Sequence, residues 1–125
     1  MWDASDFHFD SVSQIHLDQW WRGRMVLLGD AGYCGSPLSG QGTSMAMVGA
    51  YVLAGELKAA GGGHRAAFPA YQDALRDYVA DNQRLALTNK ARIQAQTGTG
   101  SGEAVAETEL QDFGQVVNAL VLKDY

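Results

Sequence analysis

The chain has 125 residues, 46% of them apolar, the size of one ordinary globular domain with enough apolar material for a core. With 9 basic and 14 acidic residues the net charge is -5, and no cluster of Lys and Arg builds the positive face that phosphate backbones attract, which argues against nucleic acid as a partner. One cysteine, Cys34, excludes an internal disulfide, no signal-peptide pattern opens the chain, and the longest uncharged run, Ala31 to Gly55, is too interrupted to span a bilayer; a reduced, cytoplasmic setting away from the membrane is the expectation.

Residues Phe7 to Leu17 alternate loosely, with Phe7, Phe9, Val12, Ile15 and Leu17 among polar neighbours, which suits one or two half-buried strands. Trp20 and Trp21 read as packing residues, and Arg22-Gly23 as a turn. Arg24 to Leu28 has no polar face beyond its first residue, as expected of a short strand covered on both sides, usually a parallel one. A Gly-rich stretch follows, Gly29 to Ser44, GDAGYCGSPLSGQGTS. From Thr43 to Ala54 there is no charge, so the helix expected there is apolar all round and must lie deep inside, with Glu56 and Lys58 marking its emergence.

Gly61-Gly62-Gly63 ends that helix, and Pro69 is expected in the first turn of the next. Phe68, Tyr71, Leu75, Tyr78, Val79 and Leu85 then recur at three- and four-residue steps, an amphipathic helix running on to about Gln96. Thr97 to Gly102, TGTGSG, reads as a linker, and a last helix from about Glu103 puts Leu110, Phe113, Val117 and Leu120 on one stripe. Two architectures satisfy this pattern: part of a larger α/β structure that covers the apolar strand and helix, or a compact helical domain with a hairpin.

The Gly-rich stretch also admits two readings. If Arg24–Leu28 is a strand and a helix begins near Gly42, Asp30 lies just past the strand's carboxyl end, where open α/β sheets place ligands, and its carboxylate suits a sugar-alcohol hydroxyl. The unpaired N–H groups of Gln41, Thr43 and Ser44 in the first helical turn favour negative charge, while Gly40 and Gly42 let a flat or anionic ligand approach the backbone. Otherwise Asp30 caps a turn, the glycines permit tight geometry, and Ser39 or Thr43 is an ordinary helix cap. Cys34 suits a small buried position, and His8, His16 and His64 lack metal-ligand spacing, so no metal site is expected.

The residues Arg22 to Gly32, RGRMVLLGDAG, followed by Pro37 to Ser44, PLSGQGTS, resemble the second flavin-binding motif of the FAD-dependent aromatic hydroxylases, the single-component flavoprotein monooxygenases. Shared with that pattern are an arginine before a strand, Gly-Asp-Ala, a proline seven residues after the aspartate, and Gly-x-Gly opening a long helix. The Tyr71 to Gln83 segment and Phe9-Asp10-Ser11-Val12 are similar to later and earlier parts of the family.

The resemblance implies a Rossmann-like FAD/NAD(P)-binding fold, here its C-terminal part, with about three helices and two or three short strands. Residues 1–22 are then the end of a substrate domain, 23–60 the last strand, loop and buried helix of the FAD domain, and 61–125 C-terminal helices. Gly29, Asp30, Pro37, Gly40, Gly42, Thr43 and Ser44 are the implied cofactor contacts. Asp30 holds a ribityl hydroxyl, Pro37 lies beside the ring where oxygen reacts, and the N–H groups of Gly42, Thr43 and Ser44 face the N1–C2=O edge. FAD is the implied cofactor, NAD(P)H its reductant, and an aromatic or polycyclic organic molecule the substrate.

Three departures stand out. Tyr33-Cys34 occupies the place of a histidine in many members, Gly49-Ala50 that of Asp-Ala, and no Gly-x-Gly-x-x-Gly dinucleotide fingerprint is present. The chain is therefore expected to be incomplete and inactive alone. The alternative is a truncated interaction module that self-associates without flavin; a separate chain supplying the missing part is a further possibility.

Overall fold

The computed structural model of the chain describes residues 12–96, 116 and 119–125. Its elements in order are β1 (Trp21–Arg22), β2 (Met25–Val26), α1 (Asp30–Tyr33), a 3-10 turn (Pro37–Ser39), α2 (Gly42–Ala59) and α3 (His64–Gln96).

β1 and β2 form an antiparallel hairpin, Trp21 opposite Val26 and Arg22 opposite Met25, closed by Gly23-Arg24 with Gly23 at φ 59°. Only glycine enters that region freely, which is why the chain reverses there. The expectation of a parallel strand covered on both faces is corrected: among the described residues the Arg24–Leu28 segment pairs with β1 alone, antiparallel, and Met25 is 70% exposed. Val12 to Leu17 is irregular and largely exposed rather than a half-buried strand, and Phe7 to Ser11 lie outside the described residues.

α2 begins at Gly42, directly after the chain leaves the left-handed turn at Gly40. Met45, Gly49, Val52 and Glu56 recur at helical spacing on its buried face. The helix is not buried all round: Met47 on the opposite face is 69% exposed, because α2 packs on α3 from one side. Glu56 does not mark an emergence either. It is 7% exposed and neutralised by the Lys123 ammonium at 2.7 Å and the Tyr125 hydroxyl at 2.8 Å, contacts from a segment 67 and 69 residues away.

After Gly61 and Gly62, both at positive φ, α3 begins earlier than expected, at His64. The Gly63 carbonyl accepts from the N–H groups of Ala66 and Ala67, so a full turn is formed before Pro69, which therefore lies inside the helix. One backbone bond is lost there, and burial of Ala67, Phe68 and Tyr71 around it offsets the loss. Tyr71, Leu75, Tyr78 and Val79 form the core with Trp20, Tyr33, Met45 and Val52. Trp20 packs on Tyr33 at a 45° tilt with ring centres 4.6 Å apart and meets Tyr71 edge-on at 6.0 Å, the packing role expected of it. The linker and most of the last helix expected from Glu103 lie outside the described residues; Leu120, on that stripe, is in irregular chain and packs on the core.

The remaining layer consists of loops clamped to α3 by amide side chains. Gln72 accepts from the Trp20 N–H at 2.9 Å and donates to the Asp18 carbonyl at 2.9 Å, the double bond pattern a neighbouring strand would make. Gln83 donates to the Ile15 carbonyl at 2.7 Å, Gln14 to the Gln83 carbonyl at 2.8 Å, and Asn89 to the Leu38 carbonyl at 3.0 Å. These bonds tie the segment from Gln14 to Trp20 and the 3-10 turn to α3.

Candidate functional site

The loop between β2 and α2, residues 27–41, turns three times in fifteen residues. Gly29 sits at φ 61° and is buried, and a Cβ there would meet Ala46 Cβ at 3.2 Å, so α2 comes as close as a glycine allows. The chain then forms the single turn α1, whose Gly32 and Tyr33 N–H groups both donate to the Gly29 carbonyl at 3.0 Å. Asp30 opens that turn with an exposed side chain.

Ser36 is the one described non-glycine residue at positive φ, 75° with ψ 147°, a region that costs about 1–3 kcal/mol for a residue with a Cβ. What holds it is local: Ser39 Oγ donates to the Ser36 carbonyl at 2.9 Å, and Ser36 Oγ accepts from the Leu38 N–H at 3.3 Å. The strain falls directly before Pro37, whose ring is exposed at the start of the 3-10 turn. Gly40 ends the turn in the left-handed region, its N–H donating to the Pro37 carbonyl at 3.1 Å.

Gln41 caps α2, and the first helical bond runs from the Met45 N–H to the Gln41 carbonyl at 2.8 Å. The N–H groups of Gly42, Thr43 and Ser44 therefore precede any helical acceptor and face outward at the positive end of an 18-residue helix. No side chain caps this end. A Cβ on Gly42 would find only Asp30 Oδ1 within 4 Å, at 3.9 Å, and one on Gly40 would find nothing. Asp30, twelve residues upstream, is thus brought to the first residue of α2.

The structure gathers Asp30, Gly42, Thr43 and Ser44 at one helix end, with Pro37 and Gly40 on the turn leading into it and Gly29 buried underneath. An acceptor, a row of free donors and an approach without side chains stand together. Two features were not legible beforehand. Gln41 is 7% exposed and its Oε1 is buried without a partner among the described residues, an acceptor waiting for a donor the loop does not supply. Ser36 and Ser39 hold the strained turn, a role that their ordinary residue types do not advertise.

Cys34 is partly exposed rather than buried, with Sγ 3.9 Å from the Ser13 carbonyl, and takes no part in the cluster. His16 bonds Gln14 at 2.9 Å and the His64 ring packs on Phe68. His8 lies outside the described residues. Among the described residues no three His, Cys, Asp or Glu side chains converge as metal ligands, and no helix is long and apolar enough to cross a membrane.

No protein-family model matches the sequence. An uncharacterized protein of Mycobacterium tuberculosis is 46% identical over 125 residues, covering 100% of this chain and 30% of that protein. A flavin-dependent monooxygenase of Legionella longbeachae is 51% identical over 85 residues, 68% of this chain and 22% of the relative. An FAD-dependent monooxygenase of Sarocladium schorii is 41% identical over 97 residues, 78% of this chain and 23% of the relative. Among solved structures, the tetracycline destructase Tet(51) superposes with a TM-score of 0.85 at 38% identity, over 99% of this chain and 33% of that one. Tet(55) gives 0.82 at 42%, over 98% and 33%. The chain thus spans a third or less of the proteins it matches. Sequence and fold agree, and the chain belongs to the flavin-dependent monooxygenase family.

Proposed function

We propose that this chain forms one wall of an FAD site in a monooxygenase that oxygenates an aromatic or polycyclic organic substrate. The observation that carries the reading is the meeting of the exposed Asp30 carboxylate with the uncapped N-terminus of α2 at a position where Gly42 has no Cβ. The residues suit a flavin. Asp30 accepts hydrogen bonds only, as a ribityl hydroxyl requires, and the N–H groups of Gly42, Thr43 and Ser44 donate to a carbonyl edge that becomes anionic on reduction. Gln41 Oε1 offers a further buried acceptor at the same helix end.

When bound, the flavin supplies the redox chemistry of oxygen transfer, with NAD(P)H as the reductant. The chain's own part is to hold and polarise it. The α2 N-terminus stabilises negative charge without reorganisation, because its donors are fixed by the helix. The Pro37 turn, made rigid by the Ser36–Ser39 bonds and tied to α3 through Asn89, presents a stiff edge beside the ring. The polycyclic substrate class is supported by the names of the two solved relatives, which act on tetracycline.

Titration of the 125-residue chain with FAD, followed by flavin fluorescence, tests this. Saturable binding is expected, and Asp30→Ala should weaken it about 10- to 100-fold, the loss of a hydrogen bond to a charged group. Equal affinity in the variant would overturn the assignment of Asp30. One observation favours a second reading: Val12, Leu17, Met25 and Met47 are all exposed apolar residues. In that reading the chain associates through exposed apolar residues of this kind with itself or with a separate chain, and a concentration-independent monomer in sedimentation would count against it.

A further inference from the structure

Asp30 rides on the segment Leu27 to Tyr33, and both ends of that segment meet at a single atom. The Tyr71 hydroxyl on α3 donates to the Leu27 carbonyl at 3.1 Å. It also lies 2.9 Å from the Tyr33 hydroxyl. A phenol has one proton, and Tyr71 commits its own to Leu27, so the Tyr33 hydroxyl donates to the Tyr71 oxygen. Within the segment the Gly29 carbonyl accepts from Gly32 and Tyr33, which makes the turn bearing Asp30 rigid. What remains free is the placement of that rigid turn against the rest of the molecule, and the Tyr71 hydroxyl fixes it at both ends.

The surroundings are built for this contact. Tyr71 is 0% exposed and Tyr33 1%, and the Trp20 ring packs against both. Across the pair lies Gly49 of α2, where a Cβ would land on the Tyr33 hydroxyl; glycine keeps the notch open that the hydroxyl occupies. The same small network therefore touches α1, α2 and α3. The two elements whose relative position defines the site, α1 with Asp30 and α2 with its N-terminal donors, are registered through it. Burial pushes the Tyr71 phenol far above its ordinary value, so it stays a neutral donor.

We propose that Tyr71 is the positioning residue of the flavin site: its hydroxyl, buried behind the loop, sets where Asp30 stands relative to the N-terminus of α2. The proposal rests on the reading of Asp30 as the flavin acceptor.

Tyr71→Phe removes one oxygen and keeps the ring. Hydrogen–deuterium exchange of the 125-residue chain without flavin should show residues 28–34 exchanging about five- to tenfold faster, the effect of one lost buried hydrogen bond, with residues 45–56 of α2 unchanged. FAD affinity should fall by about the same factor, while Asp30→Ala/Tyr71→Phe should bind no more weakly than Asp30→Ala alone, because the hydroxyl acts only through Asp30. Tyr78→Phe serves as the control, a buried tyrosine of the same helix whose hydroxyl makes no hydrogen bond to the Leu27–Tyr33 segment among the described residues. If Tyr71→Phe does not fold, Tyr33→Phe frees the C-terminal end of the segment alone and should speed exchange at 32–34.

Unchanged exchange at 28–34 overturns the proposal, as do affinity losses that simply add in the double variant. A chain that binds no FAD overturns the flavin reading itself and the affinity arm with it. The exchange arm then decides whether Tyr71 positions the segment.

Discussion

Gly49→Ala is a substitution for which local and tertiary physics predict opposite signs. In the interior of α2 alanine is the better helix former by about 0.5–1 kcal/mol, so the helix alone would gain stability. In the folded chain the new Cβ lands on the Tyr33 hydroxyl and comes within 3.0 Å of Leu28 Cδ1. Tyr33 has nowhere to go: it is 1% exposed, its ring is packed on Trp20, and its hydroxyl is bonded to Tyr71. Overpacking of this kind costs about 1–3 kcal/mol, and breaking the hydroxyl pair leaves buried polar atoms unpaired for about 1–3 kcal/mol more. The net expectation is destabilisation by about 3 kcal/mol, which for a domain of this size lowers Tm by roughly 10–20 °C. Reversible thermal and urea unfolding followed by circular dichroism measures it. Gly49→Ala/Tyr33→Phe should recover at least half of the loss, since the atom struck is the hydroxyl and the ring carbon behind it stands at 3.3 Å. A Gly49→Ala chain as stable as the parent, or a double variant less stable than the single, refutes the reasoning.

Leu75→Ala, at a site 1% exposed in the centre of the core, should cost about 2–5 kcal/mol in urea unfolding; a loss under 1 kcal/mol would mean that α3 does not pack as described. Asn89→Ala removes the donor to the Leu38 carbonyl and should raise amide exchange across residues 36–40 by a few-fold without lowering Tm appreciably; protection equal to the parent would show the turn to be self-supporting. The segment 119–125 should undock from α2 at both extremes of pH. The Lys123 ammonium and the Tyr125 hydroxyl hold the Glu56 carboxyl below its ordinary 4.5 against the opposing effect of burial. That contribution is therefore complete above pH 4.5 and is lost as pH falls through the folded value. Burial and the bond to Glu56 raise the Tyr125 phenol to about 12, so its contribution is complete below pH 10 and is lost as pH rises past about 12. Ring resonances of Tyr51 and Tyr125, which meet edge-on at 5.7 Å, should stay constant between these limits and shift outside them, with the acid limb absent in Glu56→Gln. Constant resonances through the acid range in the parent would contradict this.

Much of the local structure was readable in the chain because local structure has local causes. Gly23 and Gly61-Gly62 allow positive φ, and the chain turns there. The left-handed turn at Gly40 ends the loop and lets α2 begin at Gly42, and the three- and four-residue spacing of Phe68, Tyr71, Leu75, Tyr78 and Val79 sets the buried face of α3. The family motif was legible for the same reason: Gly29, Asp30, Pro37, Gly40 and Gly42 are residue types chosen for what the backbone does at each position. Where the reading went astray, a residue's environment depended on something distant. The strand at Arg24–Leu28 looked doubly covered because its side chains are apolar, yet burial is a property of neighbours, and among the described residues its one strand partner is β1. Pro69 looked like a helix start because proline prefers one, and packing around Phe68 and Tyr71 carried the helix through it. Glu56 looked like an exit to solvent because a lone carboxylate is costly to bury; Lys123 and Tyr125 remove that cost from 67 and 69 residues away. The Tyr33–Tyr71–Leu27 network, the notch at Gly49 and the amide clamps of Gln72, Gln83 and Asn89 likewise join residues tens of positions apart. The sequence determined by itself which stretches turn, which form helices and which backbone carries no side chain, since those follow from φ, periodicity and the absence of a Cβ. Only the tertiary structure decided which polar atoms meet, because a hydrogen bond across such distances exists once packing has brought both ends within 3 Å, and no spacing along the chain encodes that.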